Sequence, residues 1–330
     1  MKLLRALVFF LAALIGVSAT TAFAAPPALH RGVNVLGYDP IWTDPSRGRF
    51  KQSYFKAIRA AGFDFVRVNL QAFRHMKQSG ELDPAWLTRL DWVVDNATAA
   101  GLSVILDEHD FNICSEDPDL CRVKLGAFWS QVAPRYRKAP ASVSFELLNE
   151  PHAKLDAARW NALLKEMLAI VRRTNPTRMV VVGPTQWNSL SQLSTLELPE
   201  GDRNLLVTFH YYEPFRFTHQ GASWTDLKEV RGVVWGGAED RARLDRDFDE
   251  VAAWSKRTGR PILLGEFGAF DRSGTPIELR AAYTAAVARA AERRRIGWAY
   301  WQFDSDFIVW DMKANGWVGP IKDALVPPTR

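Results

Sequence analysis

The sequence predicts a single (β/α)8 TIM barrel, in which eight parallel strands form a ring inside a layer of helices. Eight short apolar runs, rich in β-branched and aliphatic residues, follow one another along the chain, as strands buried on both faces do. Amphipathic, helix-like stretches lie between them. Removing a leader of 25 residues from the 330 leaves about 305, a length that this architecture reaches as one domain.

The predicted strands and helices alternate along the chain. Pro84 lies at an early position of the first predicted helix, and Gly101 directly follows the end of that helix. Proline and glycine at these positions are typical signals for the start and the end of a helix. An open, doubly wound sheet is the alternative, but residues 32–37 lack the Gly-rich phosphate turn that it would need. The strands are predicted at 32–36, 63–69, 103–107, 143–148, 179–183, 205–210, 261–265 and 297–301, and the helices at 84–100, 156–174, 240–258 and 278–294.

The start of the chain resembles a secretory signal. Two positive residues precede an apolar run over 6–17, which is too short to span a bilayer, and Ala22-Phe23-Ala24 fits a cleavage site. We predict a removable signal peptide over 1–25 and one catalytic barrel domain over 26–330. The protein is then exported, to the periplasm or beyond, without membrane attachment after removal of the signal. A retained membrane anchor is the alternative.

The charge pattern and the tryptophan content indicate which classes of ligand the protein can bind. The net charge is +5, but the positive residues are scattered and the only run, 293–295, closes a predicted helix, where cations are favourable. Nucleic-acid binding is therefore not expected. The 13 Trp suggest flat apolar platforms, and sugar rings are flat and half apolar. Cys114 and Cys121 lie close together in one predicted loop, so we expect a disulfide after export.

Polar residues stand where the predicted strands end. Those ends point to one face of a barrel, the face that holds active sites. A charged residue after an apolar run is costly to bury unless it is paired, so polar residues at six of the eight predicted strand ends indicate one shared site. The residues are Arg67, Asn69, Asp107, His109, Asn149, Glu150, His210, Tyr212, Glu266 and Trp301.

Two single carboxylates among them, Glu150 and Glu266, end strands four and seven on opposite sides of the barrel. Two carboxyls across a cleft are what acid-assisted glycosidic cleavage needs. Arg67 and Tyr212 would keep Glu266 ionised as the nucleophile. The charge of Glu266 would raise the pKa of Glu150, which would serve as the general acid/base.

These residues resemble glycoside hydrolase family 5, and the likeness runs from Arg31 onward. Residues 217–224 look like the version in bacterial cellulase-type members. The matching motifs are Phe65-Val66-Arg67-Val68, Asp107-Glu108-His109, Asn149-Glu150-Pro151, His210-Tyr211-Tyr212, Glu266-Phe267-Gly268 and Ala299-Tyr300-Trp301-Gln302.

The resemblance implies a retaining, endo-acting hydrolase of β-1,4-glucan, with β-mannan or another β-glucan as the alternative substrate. It also implies roles for the supporting residues. Asn149 would bind the 2-hydroxyl of the −1 sugar, His210 would contact Glu150, Tyr212 would lie beside Glu266, Arg67 and His109 would order the nucleophile side, and Trp301 would stack on the −1 sugar.

Further aromatic residues lie in loops on the same face. We expect Trp42, after strand one, to stack on a sugar, and Trp187, Trp224, Trp235 and Trp310 are candidates for outer subsites. His30, His75, His152 and His219 receive no role.

Two rival functions remain open. A metal hydrolase would use His109, His210, Asp107 and Glu266 as ligands, but no spacing places two histidines on one element. A non-catalytic sugar-binding barrel would usually lack one of the two glutamates, and both are present. We therefore expect no metal and no cofactor, a β-linked polysaccharide or oligosaccharide as the partner, and a monomer.

Overall fold

The structure is a computed structural model that describes residues 29–328. Eight parallel strands pair in chain order, and β1 pairs with β8 to close the barrel. The predicted fold class is therefore confirmed. The strands are β1 Arg31–Val35, β2 Phe65–Leu70, β3 Ser103–Glu108, β4 Val143–Glu146, β5 Val180–Val182, β6 Leu205–His210, β7 Ile262–Glu266 and β8 Gly297–Tyr300.

Helices follow the strands on the outside of the barrel, and a two-stranded hairpin follows β8. Among the helices formed by residues 29–328, none is long and apolar enough to cross a membrane. The helices are α1 Gln52–Ala60, α2 Pro84–Ala99, α3 Phe111–Glu116, α4 Pro118–Arg135, α5 Ala157–Arg172, α6 Thr185–Asn188, α7 Phe215–Thr218, α8 Ala238–Thr258, α9 Ile277–Arg293 and α10 Gly319–Leu325; the hairpin strands are β9 Trp310–Asp311 and β10 Gly316–Trp317.

Local sequence signals set the ends of the long helices. Asp83 caps α2 by accepting a hydrogen bond from the N–H of Ala85, and Asp156 caps α5 in the same way. Gly259 ends α8 with φ 66°, a left-handed conformation that glycine adopts without steric cost. These signals explain why the predicted helices lie within one or two residues of the observed bounds.

The barrel interior changes from apolar to charged along the strands. Near the amino ends, Phe65, Ile105 and Leu263 belong to one small buried cluster inside the ring. Two residues further along, β2 carries Arg67 and β3 carries Asp107, both fully buried. Because side chains alternate between the faces of a strand, a spacing of two keeps these charges inside the barrel. The carboxyl end of the barrel is therefore built to hold polar chemistry.

Some predictions of local structure differ from the observed fold. The segment with the two cysteines is not a loop, because Cys114 lies in α3 and Cys121 in α4. α4 was not predicted either, because the exposed apolar side chains of Leu120 and Val123 blur the apolar pattern of its one buried face. The predicted signal peptide, 1–25, lies outside the described residues.

Candidate active site

A cleft of about 1370 Å³ opens at the carboxyl ends of the barrel strands. Of the predicted site residues, six line it directly, and Arg67 and Asn149 lie fully buried beneath it. The structure therefore brings eight of the nine predicted catalytic and supporting residues together. The six at the surface of the cleft are His109, Glu150, His210, Tyr212, Glu266 and Trp301.

Glu266 ends β7 and lies in a strongly hydrogen-bonding environment. Its Oε1 accepts a hydrogen bond from Nη1 of Arg67 at 2.7 Å, and its Oε2 accepts one from the hydroxyl of Tyr212 at 3.0 Å. Burial and the charge of Glu266 raise the pKa of Tyr212 well above its ordinary value, so the hydroxyl remains a donor. The buried guanidinium and the tyrosine hydroxyl thus hold the two oxygens of Glu266 in place.

Glu150 lies four residues beyond the end of β4 and has a different environment. Its Oε1 lies 2.7 Å from Nδ1 of His210. Burial raises the pKa of Glu150 to about 7, although the nearby His109 and Arg67 oppose the shift. The residue also has φ 40°, in the left-handed region that non-glycine residues rarely adopt. A carboxyl group with this pKa carries its proton at mildly acidic to neutral pH.

One histidine lies between the two glutamates. Nδ1 of His210 lies 2.7 Å from Glu150 Oε1 and 3.6 Å from Glu266 Oε2. An irregularity in the β6–β7 pairing places His210 directly opposite Glu266. One ligand-type atom from each of the three side chains lies within 4.8 Å of the others. The two carboxylates therefore approach within 4.8 Å.

Arg67 connects Glu266 to the barrel interior. Nε and Nη2 donate to the two carboxylate oxygens of Glu146 at 2.7 and 2.9 Å. Nη1 donates to Asn34 Oδ1 at 2.8 Å as well as to Glu266, and Nη2 also donates to Asn149 Oδ1 at 2.8 Å. Such a planar, multiply bonded guanidinium has little freedom to move. It fixes Glu266 and Asn149 relative to each other.

A second ion pair lies beside this network and orients His109. Nδ1 of His109 lies 2.6 Å from Oδ2 of Asp107, which also contacts Arg67 Nη2 at 3.1 Å. Burial opposes protonation of His109, but the Asp107 carboxylate outweighs it and raises the pKa of the ring. The ring stacks on Trp301 with centroids 5.5 Å apart and planes 9° apart. His109 therefore supports the indole that forms one wall of the cleft.

Glu146, a central member of the buried network, was not predicted from the sequence. It lies inside the predicted strand 143–148 and is the fully buried last residue of β4. Burial raises its pKa to about 7 against the opposing effect of Arg67. Ser144 precedes it by two residues on the same face of β4. A charged residue in the middle of a buried strand needs a partner, and that signal was available in the sequence.

His152 and Asn188 also received no role, yet both lie at the site. His152 lines the cleft, where its ring stacks on Trp187 with centroids 4.4 Å apart. Its Nδ1 lies 2.8 Å from the Glu150 carbonyl oxygen and 3.0 Å from Ser115 Oγ. Asn188 is fully buried behind His210. Neither residue belongs to a motif at the end of a predicted strand.

The aromatic candidates divide into two groups. Trp187 and Trp224 are both 54% exposed and line the cleft. Trp235 and Trp310 are buried, at 5% and 7% exposure, and neither lines the cleft. Trp187 and Trp224 therefore present exposed rings in the cleft, whereas Trp235 and Trp310 pack in the interior.

The expected sugar-stacking role of Trp42 is corrected by the structure. Trp42 is only 2% exposed and does not line the cleft. Its Nε1 donates to the carbonyl oxygen of Leu36 at 2.8 Å, and its ring packs against Trp86 at a centroid distance of 5.6 Å. Because the indole N–H finds a partner inside its own loop, the side chain can be buried without an unpaired donor.

The cysteine pairing is confirmed, with an S–S distance of 2.06 Å between Cys114 and Cys121. The bridge joins α3 to α4 next to Ser115, whose hydroxyl contacts His152. The carbonyl oxygen of Ser115 also accepts a hydrogen bond from the N–H of Lys154 at 3.1 Å. The disulfide therefore braces the chain that follows Glu150.

Glu150, His210 and Glu266 also have the residue types of a metal site. Both ring nitrogens of His210 are engaged, since Nδ1 faces Glu150 and Nε2 lies 3.2 Å from the side-chain amide nitrogen of Asn188. A metal ion would have to displace one of these contacts. The donor set is better suited to moving protons than to holding a metal.

The barrel and its paired carboxylates place the chain in the class of (β/α)8-barrel glycoside hydrolases. Residues 26–306 match the family model of cellulase, glycosyl hydrolase family 5. The chain belongs to glycosyl hydrolase family 5.

Comparison with known proteins identifies several relatives. Over 299 residues, 86% of this chain, it is 30% identical to endoglucanase H of Acetivibrio thermocellus. Endoglucanase 3 of Fibrobacter succinogenes is 24% identical over 85% of this chain. The chain spans 31% and 50% of the lengths of these two curated relatives. The solved structure of Thermotoga maritima Cel5A with mannotriose superimposes with a TM-score of 0.85, at 34% identity over 90% of this chain and 97% of that one.

Proposed function

We propose that this protein is a retaining endo-β-1,4-glucanase that acts through a covalent glycosyl-enzyme intermediate. The observation that carries the proposal is that one carboxylate oxygen of Glu150 lies within 4.8 Å of one of Glu266. The two side chains nevertheless have different hydrogen-bond partners. Retaining glycosidases hold their carboxyl groups about 5–5.5 Å apart, whereas inverting ones leave about 6.5–9.5 Å for a water molecule. The short separation supports direct attack by one carboxylate.

In the first step, an oxygen of Glu266 attacks the anomeric carbon and forms an ester bond. The bond from that carbon to the leaving oxygen breaks, and the leaving oxygen takes the proton of Glu150. The hydrogen bonds from Arg67 and Tyr212 hold Glu266 in place as an anion. The pKa of about 7 lets Glu150 hold a proton until the leaving oxygen needs it.

In the second step, a water molecule attacks the same carbon from the face that the leaving group vacated. Glu150, now ionised, takes a proton from the water, and the ester bond to Glu266 breaks. Loss of the negative charge of Glu266 in the intermediate lowers the cost of ionising Glu150. The product sugar keeps the β configuration, because the carbon is inverted twice.

The substrate class is proposed from the cleft and the relatives together. The exposed rings of Trp187 and Trp224 offer stacking surfaces beyond the carboxylates. The curated relatives named above are endoglucanases, which supports β-1,4-glucan. Thermotoga maritima Cel5A has been solved with cellobiose as well as with mannotriose, so β-mannan is the second candidate.

We further propose that residues 1–25 form a removable signal peptide, that 26–330 form the catalytic domain, and that the exported protein acts as a monomer. The apolar run over 6–17 and the match of the family model from residue 26 support the boundary. Mass spectrometry of the protein recovered outside the cytoplasm tests the cleavage site, and light scattering tests the oligomeric state.

A reducing-sugar assay tests the proposed function. The protein is incubated, with and without a chelator, with carboxymethyl-cellulose, mixed-linkage β-glucan, xyloglucan and β-mannan. We expect release of reducing ends from the β-1,4-glucans, unchanged by the chelator. Glu266→Gln should abolish it, while Glu239→Gln, on the exposed surface of α8, should not. Binding without hydrolysis would identify a sugar-binding barrel, and loss of activity with the chelator would identify a metal hydrolase.

The separate roles of the two glutamates can be tested with azide. In Glu266→Ala, azide fits the space of the lost carboxylate and should give an α-glycosyl azide. Glu150→Ala should still form the intermediate from substrates with good leaving groups, since these need little protonation. Azide should then release a β-glycosyl azide. The same azide anomer from both variants would contradict the assignment of roles.

A further inference from the structure

The short segment α6 after β5 is a left-handed turn rather than a regular helix. Gln186, Trp187 and Asn188 have φ values of 54°, 59° and 54°. Three consecutive non-glycine residues in the left-handed region are energetically unfavourable, and such conformations persist where the surrounding structure requires them. Trp187 points into the cleft, whereas Asn188 is fully buried. The conformation of the turn therefore places the side chain of Trp187 in the cleft and that of Asn188 behind His210.

The buried side chain of Asn188 is held against the ring of His210. Its Nδ2 lies 3.2 Å from His210 Nε2, and Ser189 pairs with His210 in an isolated parallel bridge. A Cβ added to Gly183 would lie 2.1 Å from Asn188 Oδ1, and one added to Gly265 would lie 3.0 Å from His210 Nε2. Two glycines thus leave the space that the amide and the ring occupy.

The orientation of the Asn188 amide, whose Nδ2 faces the ring, decides which nitrogen of His210 carries the proton. An amide nitrogen only donates hydrogen bonds, so Nε2 of His210 must accept. A neutral imidazole with an accepting Nε2 has its proton on Nδ1. Nδ1 then donates to Oε1 of Glu150 over 2.7 Å. Because the carbonyl oxygen of a carboxylic acid is its better acceptor, this hydrogen bond favours Oε1 as the carbonyl oxygen and places the acid proton of Glu150 on Oε2.

The opposite tautomer would have a different consequence. With the proton on Nε2, Nδ1 would become an acceptor facing Oε1 of Glu150. The acid proton would then bind to the ring of His210 rather than to the leaving oxygen of the substrate. The choice of tautomer therefore decides whether Glu150 can act as an acid without first rearranging.

We propose that Asn188 is a positioning residue that fixes the Nδ1–H tautomer of His210 and thereby leaves the acid proton of Glu150 free for the leaving group. The inference rests on the proposed role of Glu150 as general acid. It adds a function for a residue outside the strand-end motifs, and it explains why the left-handed turn is present.

The charged groups around His210 are compatible with a single ring proton. Glu150 and Glu266 face Nδ1, and Arg67, Asp107 and His109 act from beyond them. Burial lowers the pKa of His210 to about 3, against the attraction of Glu266. The ring is therefore neutral at mildly acidic to neutral pH. What remains to be fixed is which of its two nitrogens carries the single proton.

The tautomer can be read directly by NMR of protein labelled with ¹⁵N-histidine. The chain has six histidines, and His210→Gln identifies the signal of interest. We expect a protonated Nδ1 and an unprotonated Nε2 in the wild type. Asn188→Asp, which is almost the same shape and tolerates the left-handed backbone, should protonate Nε2. A wild-type ring with its proton on Nε2 would overturn the proposal, whether or not the protein is active.

Kinetics test the consequence for catalysis. We compare 2,4-dinitrophenyl β-cellobioside, which needs little acid assistance, with cellotetraose, which needs it fully. Asn188→Gly keeps the left-handed backbone and removes the amide, and should lower kcat/KM roughly 10- to 100-fold on cellotetraose. It should change kcat/KM less than about threefold on the activated substrate, because the missing function is proton donation. Equal losses on both substrates would show a merely structural role and overturn the proposal.

The pH profile gives a further readout that a packing defect would not change. Asn188→Asp should make His210 cationic, and a cation beside Glu150 lowers the pKa of its carboxyl. The high-pH limb of kcat/KM on cellotetraose should then move down by about one unit. An unmoved limb would contradict the coupling. A wild-type protein inactive on both substrates would refute the proposed function instead, and the NMR result would still decide the tautomer.

Discussion

Nη1 of Arg67 lies 2.7 Å from Oε1 of Glu266, and the two side chains are 0% and 5% exposed. A buried ion pair of this kind costs desolvation energy, which its other hydrogen bonds must offset. Arg67 has such bonds to Glu146, Asn34 and Asn149. The Arg67 guanidinium therefore contributes both to the stability of the barrel and to the position of Glu266.

Replacing Arg67 by Lys should damage stability and activity together. Lysine keeps the positive charge but cannot make the forked contacts to Glu146 and Glu266 at once. We expect the free energy of unfolding in urea to fall by about 3 kcal/mol and kcat to fall with it. Arg122→Lys, in an exposed pair with Glu166, is the matched control and should leave the unfolding midpoint unchanged. Wild-type stability in Arg67→Lys would contradict the importance of the network.

The proposed acid role of Glu150 predicts the pH dependence of kcat/KM. Activity requires the protonated form, so it falls as the pH rises through the pKa of this group. Burial raises that pKa to about 7, so the high-pH limb should have its midpoint near pH 7. A limb with its midpoint near 4.3, the ordinary value for glutamate, would show that Glu150 is not the acid. The profile should be measured with cellotetraose, whose leaving group needs the proton.

The disulfide should contribute modestly to stability and little to catalysis. The bridge closes a short loop, with seven residues of sequence separation between Cys114 and Cys121. We expect the double Ser variant to lose about 2 kcal/mol of unfolding free energy, because the barrel core contributes most of the stability. kcat/KM should stay close to wild type, since Ser115 and His152 keep their other contacts. A large fall in kcat would show that the bridge positions Glu150.

Replacing Trp187 and replacing Trp42, which both follow barrel strands at their carboxyl ends, should have opposite effects on substrate binding and on stability. Trp187→Ala removes an exposed ring from the cleft and should raise KM for cellohexaose roughly fivefold, or about 1 kcal/mol, without changing stability. Trp42→Ala removes a buried ring and should cost about 3–5 kcal/mol of unfolding free energy. Urea unfolding and steady-state kinetics of both variants check this. A KM effect in a stable Trp42→Ala would restore the sugar-stacking role.

These cases also show what the sequence can and cannot predict. Residues at the ends of predicted strands, such as Glu150 and Glu266, were found because a barrel brings all such ends to one face. The role of Asn188 was not predicted, because its position depends on a left-handed turn that no local sequence pattern indicates. Trp42 was placed in the wrong environment, because a loop residue can turn toward the cleft or toward α2, and only the packing decides.

The stereochemical course of hydrolysis tests the central claim most directly. The proton NMR spectrum of a cellotetraose digest is followed from the first turnovers, before the product anomers equilibrate in water. With Glu266 as nucleophile and Glu150 as acid/base, the β-anomer of the newly formed reducing end should appear first. Initial appearance of the α-anomer would mean single inversion by a water molecule, and it would contradict the covalent mechanism built on these two carboxylates.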